Sequence, residues 1–417
     1  MKDKGGLLLY FMCIYIVIMP LIQEGTKYKD LPITDIMLGI LIISYIFGIV
    51  LRRDIRKRFI SGIIDFFTNK LSILMAILFG IMLVSTVYAT DKSLALTESL
   101  RYLTYLFIYF IIKYEFNTKE AITTLLKCYI FTSLLLSIFG IIQHFTIWGL
   151  DEKFIVAYSS GYTVIKIAAT MYNPNAYAAY LILIIFPVIM LSIYEKRLKY
   201  RAIYTIISIL LIVNLFMTYS RNAQLGFALG AIILCVVYSW KLIIPFGLTG
   251  TVLMFIPSVL DRAKDIPNAL QNESRLKLWK TAIMMIKEHP ILGVGNGNYA
   301  TRYNEYVSKY KELKYFEYQD YPAHNSYLKV QSELGIIGIV SFLGIITIAL
   351  LRIKRLYSTT IDKFHKPFYM GVMASMIAFL FMNISDNLFF VPKATTYFWF
   401  LLATVEALLN IKDNQTI

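Results

Sequence analysis

Apolar runs recur along the whole chain with short polar stretches between them. They cover residues 6–23, 33–51, 71–90, 94–113, 121–146, 174–194, 201–219, 222–240, 242–259, 326–351, 367–388 and 394–411. As helix, a run of about 20 residues crosses roughly 30 Å of hydrocarbon. The pattern therefore predicts an all-α polytopic membrane protein with about 12 transmembrane helices. The first run has the look of a secretory signal, but no small-residue cleavage site follows it, and Pro20 and Gln23 lead straight to the second run. It is read as retained.

The polar stretches orient the spans. RRDIRKR (52–58), EKRLKYR (195–201) and RIKR (352–355) fall on one side if every run crosses. The positive-inside rule makes that side the cytoplasm and places both termini there. Two long segments, 147–173 and 260–325, then lie outside, dividing the chain into nine spans over 1–259, a large outer loop over 260–325, and three spans over 326–417. Inner connections are too short to fold a nucleotide-binding domain, and no G-x-x-x-x-G-K-[ST] loop occurs. Composition fits a membrane protein, with 58% hydrophobic and 16% charged residues. The formal charge of +15 resides in short connections, as orientation signals do, which disfavours a nucleic-acid partner. Cys13, Cys128 and Cys235 lie inside apolar runs and read as small hydrophobes.

The large loop has its own order. In NESRLKLWKTAIMMIKEHP (272–290), Asn272 or Ser274 can cap a helix, and Leu276, Trp279, Ile283 and Ile286 repeat at helical spacing. This predicts an amphipathic helix on the membrane surface, its polar side carrying Arg275, Lys277, Lys280 and Lys287. GVGNGN (293–298) follows a helix rather than a strand, so it reads as a tight glycine turn and not a phosphate loop. Tyr299, Tyr303, Tyr306 and Tyr310 share one helix face, as core or interfacial aromatics do, with sugar stacking the lesser reading.

Two residues carry chemistry. Arg221, in TYSRNAQ, sits at a short bend between spans with no adjacent acid, where a guanidinium suits bidentate phosphate binding or reaches lipid headgroups. His324, in YPAHNSYL, stands before a helix opened by Asn325, Ser326 and Tyr327. A neutral imidazole can accept a proton there, against a purely structural role, and Asn325 can cap the helix. Glu333 lies about two and a half turns deeper, too far to orient His324 in a straight helix. His144 and His289 read as structural. Glu98 and Arg101, three apart, read as a structural pair with lipid-diphosphate contact as the alternative, and Asp386 and Asn387 as a hydrogen-bonded turn. No Asp-x-Asp occurs in the outer loops, whose acids Asp261, Asp265, Glu305 and Asp320 are scattered.

The series S-R-L-K-L-W, H-P-I-L-G-V-G-N-G-N-Y, H-N-S-Y-L and E-L-G-I-I-G, with T-Y-S-R-N and Y-N-P-N-A-Y upstream, resembles the O-antigen ligase and polymerase family of membrane glycosyltransferases. The resemblance implies a C-type glycosyltransferase architecture and an undecaprenyl-diphosphate-linked glycan donor. It implies inverting transfer to a hydroxyl of a lipid, glycan or protein at the outer face of the cytoplasmic membrane, with no metal and no cofactor. By the same resemblance Arg221 and Arg275 hold the diphosphate and His324 is the base; Asn325, Arg101 and Trp279 are the candidates for a supporting role. Asn222 and Ala223 depart from the small residue commoner after this arginine, which leaves the local turn open. Ligase and polymerase of O-antigen or capsular polysaccharide remain alternatives. A transporter of lipid-linked solutes is the rival from another class, disfavoured by the scarcity of ionisable residues within the spans and by the lack of paired halves. A scaffold without activity is the third.

Overall fold

The structure, a computed structural model, describes residues 6–29, 31–157, 163–244, 246–247, 269–314 and 320–413. Helices α1 (Gly6–Ile18), α2 (Ile33–Leu51), α4 (Lys70–Tyr88), α5 (Lys92–Glu115), α6 (Lys119–Thr146), α7 (Pro174–Tyr194), α8 (Leu198–Met217) and α9 (Arg221–Val237) form the first part of the bundle. Helices α12 (Ser326–Thr359), α13 (His365–Met382) and α14 (Pro392–Asp413) complete it. Among the described residues eight helices are long and apolar enough to cross a membrane: α2, α4, α5, α6, α7, α8, α12 and α14. Helices α1 and α9 are shorter apolar helices. The span expected over 242–259 lies outside the described residues beyond residue 247.

Helix α3 (Arg53–Thr68) differs from the sequence expectation, which treats RRDIRKR as a plain connection. It lies across one end of the bundle, because both its halves meet the last turn of α5. Arg58 Nε donates to Glu115 at 2.8 Å, while Lys113 Nζ and Tyr114 Oη donate to Asp65 at 2.8 and 2.6 Å. Gly62 sits against Tyr114, where an added Cβ would lie 2.9 Å from the ring. The charge run hides an amphipathic helix whose apolar residues Ile60, Ile64 and Phe67 face outward. The basic connections at 195–201 and 352–355 lie at this same end.

The core centres on α7, buried continuously from Ala176 to Leu191 and packed against α8 and α13. Lipid offers no hydrophobic drive between helices, so close backbone approach does the work. Gly371 of α13 supplies it, its missing Cβ leaving room for the backbone of Phe186 and Pro187. Stacked and edge-on rings of Tyr129, Tyr180 and Tyr397 join α6, α7 and α14.

At the other end lies the loop, with helices α10 (Ala269–Glu288) and α11 (Tyr299–Lys309). The tyrosine stripe is core: Tyr299, Tyr303 and Tyr306 are buried against Leu278, Ala282 and Met285. Tyr299 Oη donates to the Leu278 carbonyl at 2.8 Å. Helix α10 therefore has a buried face made of Ser274, Leu278, Thr281, Ala282 and Met285, distinct from the face of Leu276 and Ile283, which stays exposed. Small and hydroxyl residues on that buried face weaken its apolar signal in the sequence. Glu288 clamps α10 to α11, accepting from Lys309 at 2.6 Å, Tyr306 at 2.7 Å and Tyr310 at 2.9 Å. The Lys309 ammonium first, then the two phenols, hold its carboxyl at about 2.

The loop is locked to the bundle by a break in α12. Gly335 has φ 63° and ψ −159°, conformations only glycine takes readily. The break frees backbone groups, and the glycine turn fills them. Val294 and Gly295 N–H donate to the Ser332 and Glu333 carbonyls at 2.8 and 2.9 Å, and Ile336 N–H donates to the Pro290 carbonyl at 2.9 Å. The Glu333 carboxylate accepts from Gly297 and Tyr299 N–H, both at 3.0 Å, and pairs with Lys329. GVGNGN is thus the docking turn of the loop, with positive φ at Gly293, Gly295 and Gly297.

Candidate functional site

A cavity of about 580 Å³ opens at the loop-bearing end, where α7, α9, α10 and the turn after α13 converge. Arg221 enters it from the first position of α9. Ser220 caps that helix, accepting from Ala223 N–H at 3.4 Å, after Tyr219 turns the chain at φ 52°. Asn222 donates its amide to the Met382 carbonyl at 2.7 Å and so ties α9 to α13. Asn173 caps α7 through Ala176 N–H at 2.8 Å, with Pro174 at the first helical position. The N-termini of α7 and α9 therefore both form cavity wall, and their dipoles add positive potential to it.

Arg275 lines the cavity from α10, and Lys166 lines it from the position just after the short strand Thr163–Ile165. Arg221, Arg275 and Lys166 are joined there by Asn173, Asn175, Thr218, Tyr219 and Ser220, and among the described residues the lining has no carboxylate. Three cations converging on a concave wall suit an anion, and guanidiniums favour a planar pair of phosphate oxygens.

His324 is not a wall residue but is one relay away. Its Nδ1 lies 3.1 Å from Asp386 Oδ1, and Asp386 Oδ2 accepts from Asn175 Nδ2 at 3.1 Å, Asn175 being part of the wall. A carboxylate only accepts, so Nδ1 carries the hydrogen, and in the neutral ring the lone pair is the one on Nε2. Asp386 is itself held by Asn387 N–H, at 2.8 Å to Oδ1. His324 has a left-handed backbone, φ 47°, uncommon outside glycine. Neighbours fix it: Trp279 Nε1–H donates to its carbonyl at 3.2 Å, and the next residue, Asn325, donates its N–H to Asn387 Oδ1 at 3.0 Å. Asn325 Oδ1 also caps α12 through Tyr327 and Leu328 N–H, both at 3.0 Å. Ser326 N–H and Oγ–H bond Asn383 at 2.9 and 2.6 Å.

Arg221 and Arg275 thus share one cavity, whereas His324, held by Trp279 and followed by Asn325, connects to it through Asp386 and Asn175. Arg101 does not join them. It pairs with Glu98 at 2.6 Å and lines a separate groove near Lys393. Sequence reasoning misses Asp386, Asn175 and Lys166. Asp386 reads as a turn residue, although one signal was present: it is an acid at the same end of the bundle as His324. His365 is structural, bonded to Asp362 at 3.1 Å and Thr123 at 3.1 Å at the opposite end.

No curated protein matches the chain. Residues 206–343, from within α8 to within α12, match the family model described as O-antigen ligase, and the matched stretch includes Arg221, Arg275 and His324.

Proposed function

We propose that the protein transfers a glycan from a polyprenyl-diphosphate carrier, undecaprenyl diphosphate, to an acceptor hydroxyl at the outer face of the cytoplasmic membrane. The observation that carries this reading is the convergence of Arg221 and Arg275 on one cavity from two sides, with Lys166 beside them. His324 Nε2 takes the proton of the acceptor hydroxyl. The hydroxyl oxygen attacks the anomeric carbon, the bond from that carbon to the diphosphate oxygen breaks, and its electron pair leaves on the diphosphate. Attack opposite the leaving group inverts the anomeric centre. Arg221 and Arg275 balance the charge that gathers on the leaving group, the role a divalent metal takes in nucleotide-sugar enzymes. Asp386 keeps the proton on Nδ1 and steadies the imidazolium that forms. Basic connections at the end opposite the cavity support, by the positive-inside rule, a cytoplasmic position for that end and an outer-face position for the cavity.

Arg221→Lys and Arg275→Lys keep charge and lose bidentate geometry. Each should weaken binding of a polyprenyl diphosphate to the purified protein by about tenfold or more. Parental affinity in both variants overturns the diphosphate assignment. Mass analysis of envelope glycans after loss of the gene separates the two products: full-length chains left on polyprenol mark a ligase, and single repeats mark a polymerase.

A further inference from the structure

We infer that helix α3 is a binding surface for anionic phospholipid, lying obliquely in the headgroup layer at the end of the bundle opposite the arginine cavity. The helix joins the last turn of α2 to the first turn of α4, which holds both its ends at one level of the bundle. Its 16 residues run about 24 Å along that level.

Three stripes divide the helix. Ile55, Gly62 and Phe66 are buried with half-buried Phe59 beside them, and the rings of Phe59 and Phe66 meet Phe110 of α5 at 5.7 and 6.1 Å. Asp54, Arg58 and Asp65 form one flank, where every acid has a cation. Asp54 pairs with Arg52 and Arg58 at 3.1 and 3.3 Å, and Asp65 pairs with Lys113 at 2.8 Å. Arg58 also pairs with Glu115 at 2.8 Å. The outward stripe holds Arg53, Arg56, Lys57, Ile60, Ile64 and Phe67, which fall within about 100° of the helix circumference. It contains no acid.

That stripe changes character along its length. Arg53, Arg56 and Lys57 in the first half are exposed, and among the described residues none of them pairs with a carboxylate. Ile60, Ile64 and Phe67 in the second half are 54%, 62% and 63% exposed. Neither bulk phase suits both halves. Water would leave three large apolar side chains uncovered, and hydrocarbon would leave three cations without counter-charge. A layer of phosphates with acyl chains beneath it satisfies both, the guanidinium and ammonium groups donating to phosphate oxygens while the chains cover the isoleucines and Phe67. Helix α2 marks the same level, because its exposed apolar residues Val50 and Leu51 give way directly to Arg52. Three cations without an acid match an anionic headgroup, whereas a zwitterionic one brings its own ammonium against them. Other basic connections at this end keep acids beside their arginines: Arg197 pairs with Glu195, Arg352 with Glu406 and Arg355 with Asp413. The lipid surface is independent of the glycosyl transfer proposed above.

The test uses the full chain in phosphatidylcholine nanodiscs, irradiated with a phosphatidylglycerol that carries a diazirine in one acyl chain, with labelled peptides mapped. Label should gather on 60–67. Replacing Arg53, Arg56 and Lys57 together by glutamine should cut it by about tenfold or more, since each cation near an anionic surface contributes about fivefold. The charge-preserving variant Arg53→Lys, Arg56→Lys and Lys57→Arg should retain it. Replacing Lys196, Lys199 and Arg201 by glutamine removes as much charge elsewhere and should leave label on 60–67 unchanged. Unlabelled phosphatidylglycerol should displace the label, and added phosphatidylcholine or inorganic phosphate should not. Equal label in the 53–57 glutamine variant and the parent, equal loss in the 196–201 variant, or equal displacement by phosphatidylcholine overturns the inference. Displacement by inorganic phosphate assigns the stripe to a soluble anion and overturns it as well. Should the 53–57 glutamine variant fail to fold, the displacement series on the parent decides. Binding of polyprenyl diphosphate by the folded variants should match the parent, so failure of the lipid surface and failure of the diphosphate site are read separately.

Discussion

Replacing Asp386 with asparagine removes a charge and almost nothing else, which makes it a sharp probe of His324. Asp386 Oδ1 receives His324 Nδ1 at 3.1 Å and Asn387 N–H at 2.8 Å, both donors when Nδ1 is protonated. An asparagine with its carbonyl at that position keeps both bonds. Its amide then faces Asn175, whose own amide can flip to offer oxygen in place of nitrogen. The tautomer of His324 is preserved, and what disappears is the carboxylate's stabilisation of the imidazolium. A hydrogen bond to a charged group contributes about 1.5–3 kcal/mol and a neutral one about 0.5–1.5, so the loss is about 1–2 kcal/mol. Transfer should slow about 5- to 30-fold, in kcat rather than in the donor KM. Asp386→Ala also removes the anchor of a residue held at φ 47°, so its loss should exceed that of the asparagine variant. The assay is single-turnover transfer by the reconstituted protein, with a double-mutant cycle against His324→Ala. If Asp386 acts through His324, adding Asp386→Asn to His324→Ala costs nothing further. Full additivity, or an unchanged rate in Asp386→Asn, refutes the relay.

Trp279→Phe keeps the ring bulk and deletes the donor to the His324 carbonyl, costing about 1 kcal/mol of positioning, or about fivefold in transfer, with donor affinity intact; an unchanged rate shows that the bond positions nothing. Gly335→Ala places a Cβ 2.0 Å from the Ile291 carbonyl oxygen and costs about 1–3 kcal/mol from backbone conformation alone. Limited proteolysis should then cut within 290–298 in the variant and spare the parent, and equal cutting contradicts the docking role of the break. The Glu288 clamp has a signed pH dependence. Its carboxyl is lowered from 4.5 to about 2 in the fold, so its stabilisation is whole above about 4.5 and is lost as pH falls through about 2. Hydrogen exchange of α11 should rise over that window, and Glu288→Gln should remove the dependence.

The spans are legible in the sequence because a bilayer demands long apolar helices with every backbone group satisfied internally. Arg221 and His324 stand out for the converse reason, as costly polar groups at apolar boundaries. What is hidden is set by packing. Asp386 lies 62 residues from His324, and the bonds of Asn325 to Asn387 and of Ser326 to Asn383 bring the two turns together. Gly335 lies within an apolar run that hides a helix break, although E-L-G-I-I-G marks its place. The core face of α10 is hidden because Ser274, Thr281 and Ala282 carry little hydrophobic signal, and α3 because its charges read as a connection. Lys166 sits in the short segment TVIKIAA between spans, where nothing local distinguishes it from other lysines.

Reconstituted transfer by His324→Ala, followed by mass spectrometry of the lipid-linked glycan together with donor binding to the same preparation, tests the central claim most directly. Binding should match the parent, because Arg221, Arg275 and Lys166 remain in place, while transfer falls by about two to four orders of magnitude. Transfer at the parental rate, with donor bound, contradicts the account.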